Sequence, residues 1–460
     1  MMTTLTCTSP IDGSVFATRE TLSAQDARDA IAETRDAQAE WAARPLQERI
    51  DLVMAGVKAV GEMNDEIVPE LARMMGRPVR YGGEFGGFEE RAAKMAELAE
   101  EGLADIEISN DGDFHRYIKR IPHGVVFVVA PWNYPYMTAI NTVAPALIAG
   151  NTVVLKHATQ TLLVGERMAQ AFHKAGVPEA VFRNVFLDHD TTSTLISEGL
   201  FDFVNFTGSV GGGKAMEQAA AGTFTGLGLE LGGKDPGYAM DDAHLDAAVA
   251  GLIDGAMFNS GQCCCGIERI YVHESLFDSF VEKAVEIVRG YKLGDPLNPE
   301  TTIGPMANTR FAAEVRAQIA EAVESGATAH IAPFAEDDGG TYLTPQILTG
   351  VTHDMRVMRD ESFGPVVGIM PVRDDAEAIE LMNDSPFGLT ASLWTRDEAR
   401  AARVGDAIET GTIFMNRADY LDPALCWTGC KNTGRGGALS VIGYHNLTRP
   451  KSYHLKKATT

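Results

Sequence analysis

From Gly124 onward, short apolar runs bounded by turn residues alternate with stretches of helical period, and this alternation constrains the fold more than any other feature. Residues 125–129 read as a fully buried strand, 138–149 as a helix closed by Gly150, and 153–155 as the next strand. Residues 160–174 read as a helix stopped by Gly176 and Pro178. Runs at 181–187 and 203–206 extend the sheet, and a helix opens near Gly211. After Glu230 the alternation restarts: a helix with Leu245, Val249, Leu252 and Ala256 on one face, a strand at 270–272 and a helix at 276–289. Strands at 366–372, 391–394 and 411–416 follow, separated by helices. The pattern predicts an α/β chain with two doubly wound, parallel-sheet lobes. The segment before Gly124 reads as mostly helical, including 48–61 and 89–101. Two alternating pieces, 115–121 and 451–456, fit neither lobe and are expected to be edge strands that pair with another subunit.

A chain of 460 residues that is 45% hydrophobic can bury two large cores. Its 63 acidic against 39 basic residues give a formal charge of -24, with no basic stripe that could track phosphates, which argues against a nucleic-acid partner. Residues 1–10 lack a basic, then apolar, leader, and no window is apolar for the roughly 20 residues a bilayer span requires. A cytoplasmic protein without a membrane partner is expected. Of six cysteines, three are consecutive, which suits neither a disulfide framework nor paired zinc-ligand spacing; Cys426 and Cys430 stand alone, and no metal is expected.

Three strings carry chemistry. Gly261-Gln262-Cys263-Cys264-Cys265 follows an amphipathic helix, and the small Ser260 and Gly261 leave a neighbouring thiol open to attack an electrophile; packing as buried small hydrophobes is the rival reading. Glu230 lies between two leucines in Leu229-Glu230-Leu231-Gly232-Gly233-Lys234, where desolvation suits a carboxyl to proton transfer, although an exposed strand Glu would look the same. Pro131-Trp132-Asn133-Tyr134-Pro135 is a rigid turn after a buried strand that fixes the Asn133 amide as an oxyanion donor, or is simply a turn. The Gly-rich stretch from Thr207 to Ala215 runs from a strand into a helix and suits a phosphate, but Ala215 replaces the Ser/Thr that a P-loop needs for Mg²⁺. The G-x-G-x-x-G dinucleotide fingerprint is absent.

With VVLK at 153–156, FTGS at 206–209, ESFGPV at 361–366 and FGLTAS at 387–392, these strings resemble the aldehyde dehydrogenase superfamily over nearly the whole chain. The resemblance implies an NAD(P)-dependent oxidoreductase that converts an aldehyde to a carboxylic acid. It makes Cys264 the nucleophile, Glu230 the general base, and Asn133 with the Cys264 N–H the oxyanion donors. Around NAD or NADP it places Trp132, Lys156, Thr159, Gly208, Ser209, Glu361 and Phe363; around the substrate, Tyr134, Thr138, Asn141, Cys263, Cys265 and Trp427. It implies a Rossmann-like cofactor domain from 1–103 and 123–231, a catalytic domain over 232–430, and oligomerisation segments at 104–122 and 431–460 of a homodimer or homotetramer.

The chain departs from that pattern at four places. Thr159 stands where NAD-preferring members often carry Glu, so NADP is expected to be tolerated or preferred. Asn141 replaces a large aromatic, Trp427 replaces a Phe, and Arg449 occupies the position of an auxiliary Glu. No Arg or Lys is assignable to the substrate funnel from sequence. Two rivals stay open: an enzyme that passes its thioester to coenzyme A, and a catalytically silent scaffold on the same fold.

Overall fold

The computed structural model describes residues 3–457, and two large parallel sheets dominate it. The first is six-stranded, in the order Gly434–Arg435, Gly226–Glu230, Phe203–Thr207, Val125–Ala130, Thr152–His157, Phe182–Asn184. Every pairing is parallel except that of Gly434–Arg435, which runs antiparallel and sets Gly434 opposite Glu230. Both central strands, Val125–Ala130 and Thr152–His157, are buried throughout, as strands covered by helices on both faces must be. Helices Pro135–Ile148, Leu162–Lys174 and Val210–Ala220 link these strands. Gly150 and Gly176 follow the first two at φ +93° and +99°, and Pro135 starts its helix in the first turn, where its missing N–H costs nothing.

The second sheet has seven strands: Thr328–Ala329, Gln346–Thr349, Val366–Val372, Ile267–His273, Asp235–Ala239, Thr390–Trp394, Thr412–Met415. Only the first is antiparallel. The α/β, doubly wound reading of both halves is borne out, with strand ends within a few residues of the expected ones.

The sequence reading omits the strands Asp235–Ala239 and Gln346–Thr349 of the second sheet, and two further regions differ from it. The amino-terminal segment carries a hairpin, Thr4–Thr8 with Val15–Glu20, besides its helices. The strand read at 115–121 is not an edge: Phe114–Pro122 is the middle of a three-stranded antiparallel sheet between Thr448–Lys456 and Ile106–Asn110. Both of its hydrogen-bonding edges are occupied within one chain, so the open edges are those of its neighbours. Residues 431–460 also divide, since Gly434–Arg435 joins the six-stranded sheet while Thr448–Lys456 joins the small one.

Candidate active site

The strand Asp235–Ala239 and the turn before Ile267–His273 bring the cysteine run beside the end of the strand Gly226–Glu230. The helix Leu245–Met257 ends in a turn whose Asn259, Ser260 and Gly261 all adopt left-handed backbone, at φ 53°, 56° and 68°. Two of these are not glycine, so the turn stores strain that its surroundings must hold. They do so with buried hydrogen bonds. Gln262 Nε2 donates to the Asn259 carbonyl at 3.1 Å, and its Oε1 accepts from Ala307 N at 2.8 Å. Asn259 Nδ2 donates to the carbonyls of Asn133 and Gln262 at 3.3 and 3.2 Å. A side chain at Gly233 would place its Cβ 2.5 Å from the Cys264 carbonyl oxygen, so this glycine lets the Glu230 strand approach the cysteine turn.

Of the three cysteines, Cys263 and Cys265 are buried, at 8% and 2% exposure, with their sulfurs 3.5 Å apart, whereas Cys264 is only partly buried. Hydrogen bonding with Cys263 raises the thiols of Cys264 and Cys265, with burial adding, and the same contacts lower Cys263. The three titrate together, and of the three only Cys264 is partly exposed to a ligand. Among the described residues the Cys264 N–H has no acceptor, and Asn133 Nδ2 points at the neighbouring Gln262 carbonyl, 3.3 Å away. The Asn133 amide thus reaches the cysteine turn, on which the Cys264 N–H is also without an acceptor among the described residues.

Glu230 ends its strand with its carboxyl in desolvated surroundings that push it up to about 7, opposed by the positive charge of Arg91. Its carboxyl makes no hydrogen bond among the described residues, and the residue lines a crevice with Asn141, Asn205 and Arg435. Tyr134 lies under the Arg77 guanidinium, 4.6 Å from its ring centroid, and Thr138 is partly buried one turn further on. Trp427 is buried, paired through its backbone to Ala438, and packs in the apolar cluster that takes in Cys263 and Cys265.

Lys156 ends the strand beside Val129, at 5% exposure, and its ammonium has neither a carboxylate partner nor a hydrogen bond among the described residues. Burial lowers it, and Asp188 is its main opposing charge. Thr159 begins the short turn that follows. Ser209 caps the helix Val210–Ala220, its Oγ accepting from Gly212 N at 3.2 Å, directly after Gly208. Glu361 accepts from Gly233 N at 3.0 Å and is pushed up to about 8 by burial and by nearby Glu268. Phe363, at φ 51°, meets the edge of Trp132, whose other neighbour is the stacked ring of Phe311. An orphaned, nearly buried ammonium at one end and a half-buried carboxyl beside an aromatic corner at the other fit a long ligand bearing both anionic and hydroxyl groups, as a dinucleotide does.

Several residues that organise the site are invisible to motif reading. Arg77 Nη1 donates to Glu84 at 2.7 Å, Nη2 to the Asn133 carbonyl at 2.6 Å, and Nε to Asn259 Oδ1 at 3.3 Å. Lys234 donates to Glu268 at 2.5 Å, and the Glu268 carboxylate accepts from the backbone N–H groups of Ser362 and Phe363 at 2.8 and 2.9 Å. Glu268 thus fixes the loop that presents Glu361 and Phe363.

Comparison with known proteins agrees with this geometry. The family model described as "Aldehyde dehydrogenase family" matches residues 2–453. A succinate-semialdehyde dehydrogenase [NADP(+)] of Deinococcus radiodurans is 31% identical over 96% of this chain and 93% of its own. A betaine aldehyde dehydrogenase of Rhizobium leguminosarum bv. trifolii is 32% identical over 97% and 92%. The crystal structure of succinate-semialdehyde dehydrogenase from Burkholderia pseudomallei, 30% identical, superposes with a TM-score of 0.94 over 98% of this chain and 94% of that one. Fold and relatives define an oxidoreductase that uses a nicotinamide dinucleotide. The chain belongs to the aldehyde dehydrogenase family, and its activity is NAD(P)-dependent oxidation of an aldehyde. No helix among the described residues is long and apolar enough to cross a membrane.

Proposed function

We propose that this chain oxidises its aldehyde to a free carboxylic acid through a thioester on Cys264, with Glu230 as the base that releases it. The observation that carries the reading is the contrast within the cysteine run: Cys264 alone is partly exposed, in a turn that Asn133 Nδ2 reaches at the Gln262 carbonyl, while its two neighbours are sealed. Attack of the Cys264 thiolate on the carbonyl carbon forms a C–S bond and an alkoxide, which Asn133 Nδ2 and the Cys264 N–H stabilise. Bound NAD or NADP supplies the acceptor for the hydride that leaves this carbon, and the adduct becomes a thioester. Glu230 then takes a proton from water, hydroxide adds to the acyl carbon, and the thiolate departs. A base so placed favours water over coenzyme A, and an intact thiol and base argue against a silent scaffold.

Lys156 and Thr159 would hold the adenosine ribose, Gly208 and Ser209 the pyrophosphate, and Glu361, Phe363 and Trp132 the nicotinamide end. With no carboxylate at 159, a 2'-phosphate meets no repulsion there and Lys156 attracts it, so NADP is accepted and preferred. Tyr134, Thr138, Asn141 and Trp427 line the substrate funnel, with Cys263 and Cys265 behind it. The free edges of the small sheet, with Ile106, Ile108 and Leu455 exposed, support a homodimer or homotetramer built by strand addition. A thiol nucleophile suits the reducing cytoplasm.

Replacing Cys264 is the test. C264A should lose at least about 10⁴-fold in aldehyde-driven NAD(P)H production while still binding cofactor, because the covalent route is closed. Retention of even a tenth of the wild-type rate would refute the mechanism.

A further inference from the structure

The helix Phe85–Glu97 sends one guanidinium, that of Arg91, into the site from outside every motif described above. Arg91 is 8% exposed, and its Nη1 donates to the Met137 carbonyl at 2.9 Å and to Asn141 Oδ1 at 3.3 Å. Both acceptors are neutral. Nε and Nη2 have no acceptor among the described residues, nor does Asn141 Nδ2, and none of the three is among the buried atoms sealed from solvent without a partner. No carboxylate forms an ion pair with Arg91 among the described residues. Glu84, the acid that acts on it most strongly, is already spent: one oxygen accepts from Arg77 Nη1, the other from Met137 N at 2.7 Å. The remaining negative groups within electrostatic reach are Cys265, Cys264 and Glu230, the reacting machinery itself. A nearly buried cation is costly unless something anionic completes it.

Resting on the aldehyde-oxidising role of Cys264, we infer that Arg91 and Asn141 form a receptor for a carboxylate at the far end of the substrate, which makes ω-carboxy aldehydes the preferred class. The planar Nε–Nη2 edge suits two parallel bonds to a carboxylate, and Asn141 Nδ2 adds a third donor. Asn141, which accepts from Arg91, lines one crevice with Glu230. Asp419, whose carboxyl is pushed up to about 7 by burial and by the negative groups Cys263 and Asp254, forms no ion pair with Arg91 among the described residues. The small Asn141 leaves room for the guanidinium beside the helix, where a bulkier residue would occlude it.

The test compares kcat/KM for a series of ω-carboxy aldehydes, of two to five methylenes, with that for methyl-ended aldehydes of equal length. Wild-type enzyme should favour at least one carboxy aldehyde by tenfold or more, and R91M should lower that arm about a hundredfold more than the methyl arm, as loss of a buried charge partner does. R91K should recover part of the difference. If R91M proves too unstable to assay, inhibition of wild type by the matching dicarboxylate, stronger than by its mono-amide, carries the same contrast. Equal losses in both arms, or no preference anywhere in the series, overturn the proposal and leave aldehyde oxidation standing. Wild-type enzyme that oxidises neither arm overturns the aldehyde reading, and the receptor with it.

Discussion

Arg77 and Lys156 are both cations with almost no exposed surface, 4% and 5%, yet they are held in opposite ways. Each nitrogen of Arg77 has an acceptor, and those acceptors are the residues that set the cysteine turn: Asn133, Asn259, and Glu84 as counter-charge. Lys156 has none among the described residues, and Glu361 carries a half-buried carboxyl with a single N–H donor. The nucleophile wall is thus complete before any ligand arrives, so the strained turn and the oxyanion donors keep their geometry in the free enzyme. In the proposed reading, the polar groups of Lys156 and Glu361 find their partners in the cofactor. Glu230 and Arg91 belong with this second kind, since each faces the site with hydrogen-bonding capacity to spare.

The largest effect should come from the unsatisfied side. E230Q removes the proton acceptor and keeps the shape; kcat should fall about 10²- to 10⁴-fold, while a burst of one NAD(P)H per site survives in rapid-mixing experiments. A lost burst would move Glu230 from deacylation to acylation. Because burial pushes this carboxyl up to about 7, kcat in the wild type should climb as pH rises through 7 and then level off, and E230Q should abolish that limb. The same shift has a stability sign. Glu230 and Glu361 hold protons more tightly folded than unfolded, so the stability they contribute is full below pH 4.5 and is lost as pH rises through about 7 and 8.

The satisfied wall should break differently. R77M leaves Glu84 buried without its cation and frees the Asn133 carbonyl and Asn259 Oδ1, a loss of about 3–5 kcal/mol in unfolding stability by denaturant titration. Any surviving fold should react more slowly at Cys264 with a thiol reagent that needs the ordered turn. A variant with wild-type stability would show that this wall is not held by its internal bonds.

Most of the sheet architecture, and the residues proposed for the reacting centre, are legible in the chain, because local strings carry both: apolar runs for strands, Gly-rich turns for close approach, and Cys, Glu and Asn in fixed surroundings. The residues that organise the site are not. Arg77 acts on Asn133 and Asn259, 56 and 182 positions away, and Arg91 acts on Asn141, 50 away; in sequence each is one arginine in a charged helical region. Glu268 reads as an ordinary strand residue until the fold sets it under Ser362 and Phe363. The small sheet shows the same limit. Period-two alternation announces a strand at Phe114–Pro122 but says nothing of how many neighbours it has, and the brief Ile106–Asn110 gives a weak signal of its own. The amino-terminal hairpin was within reach, since Asp12-Gly13 stands between two β-prone runs and Gly13 turns at φ +74°.

The smallest and most selective change should come from Thr159, which tests whether the open wall chooses its cofactor by what it lacks. T159E restores a carboxylate beside Lys156, where it would pair with the ammonium and face the 2' position of the adenosine ribose. A 2'-hydroxyl can donate to that carboxylate, whereas a 2'-phosphate is repelled by it and loses the free charge of Lys156, so the NADP/NAD ratio of kcat/KM should fall by about tenfold or more. K156A separates the two contributions: it should weaken NADP more than NAD without giving NAD a new partner. If wild-type enzyme already favours NAD by about a hundredfold, roughly 2.7 kcal/mol, the missing carboxylate at 159 does not set the preference, and the unpaired ammonium has another task.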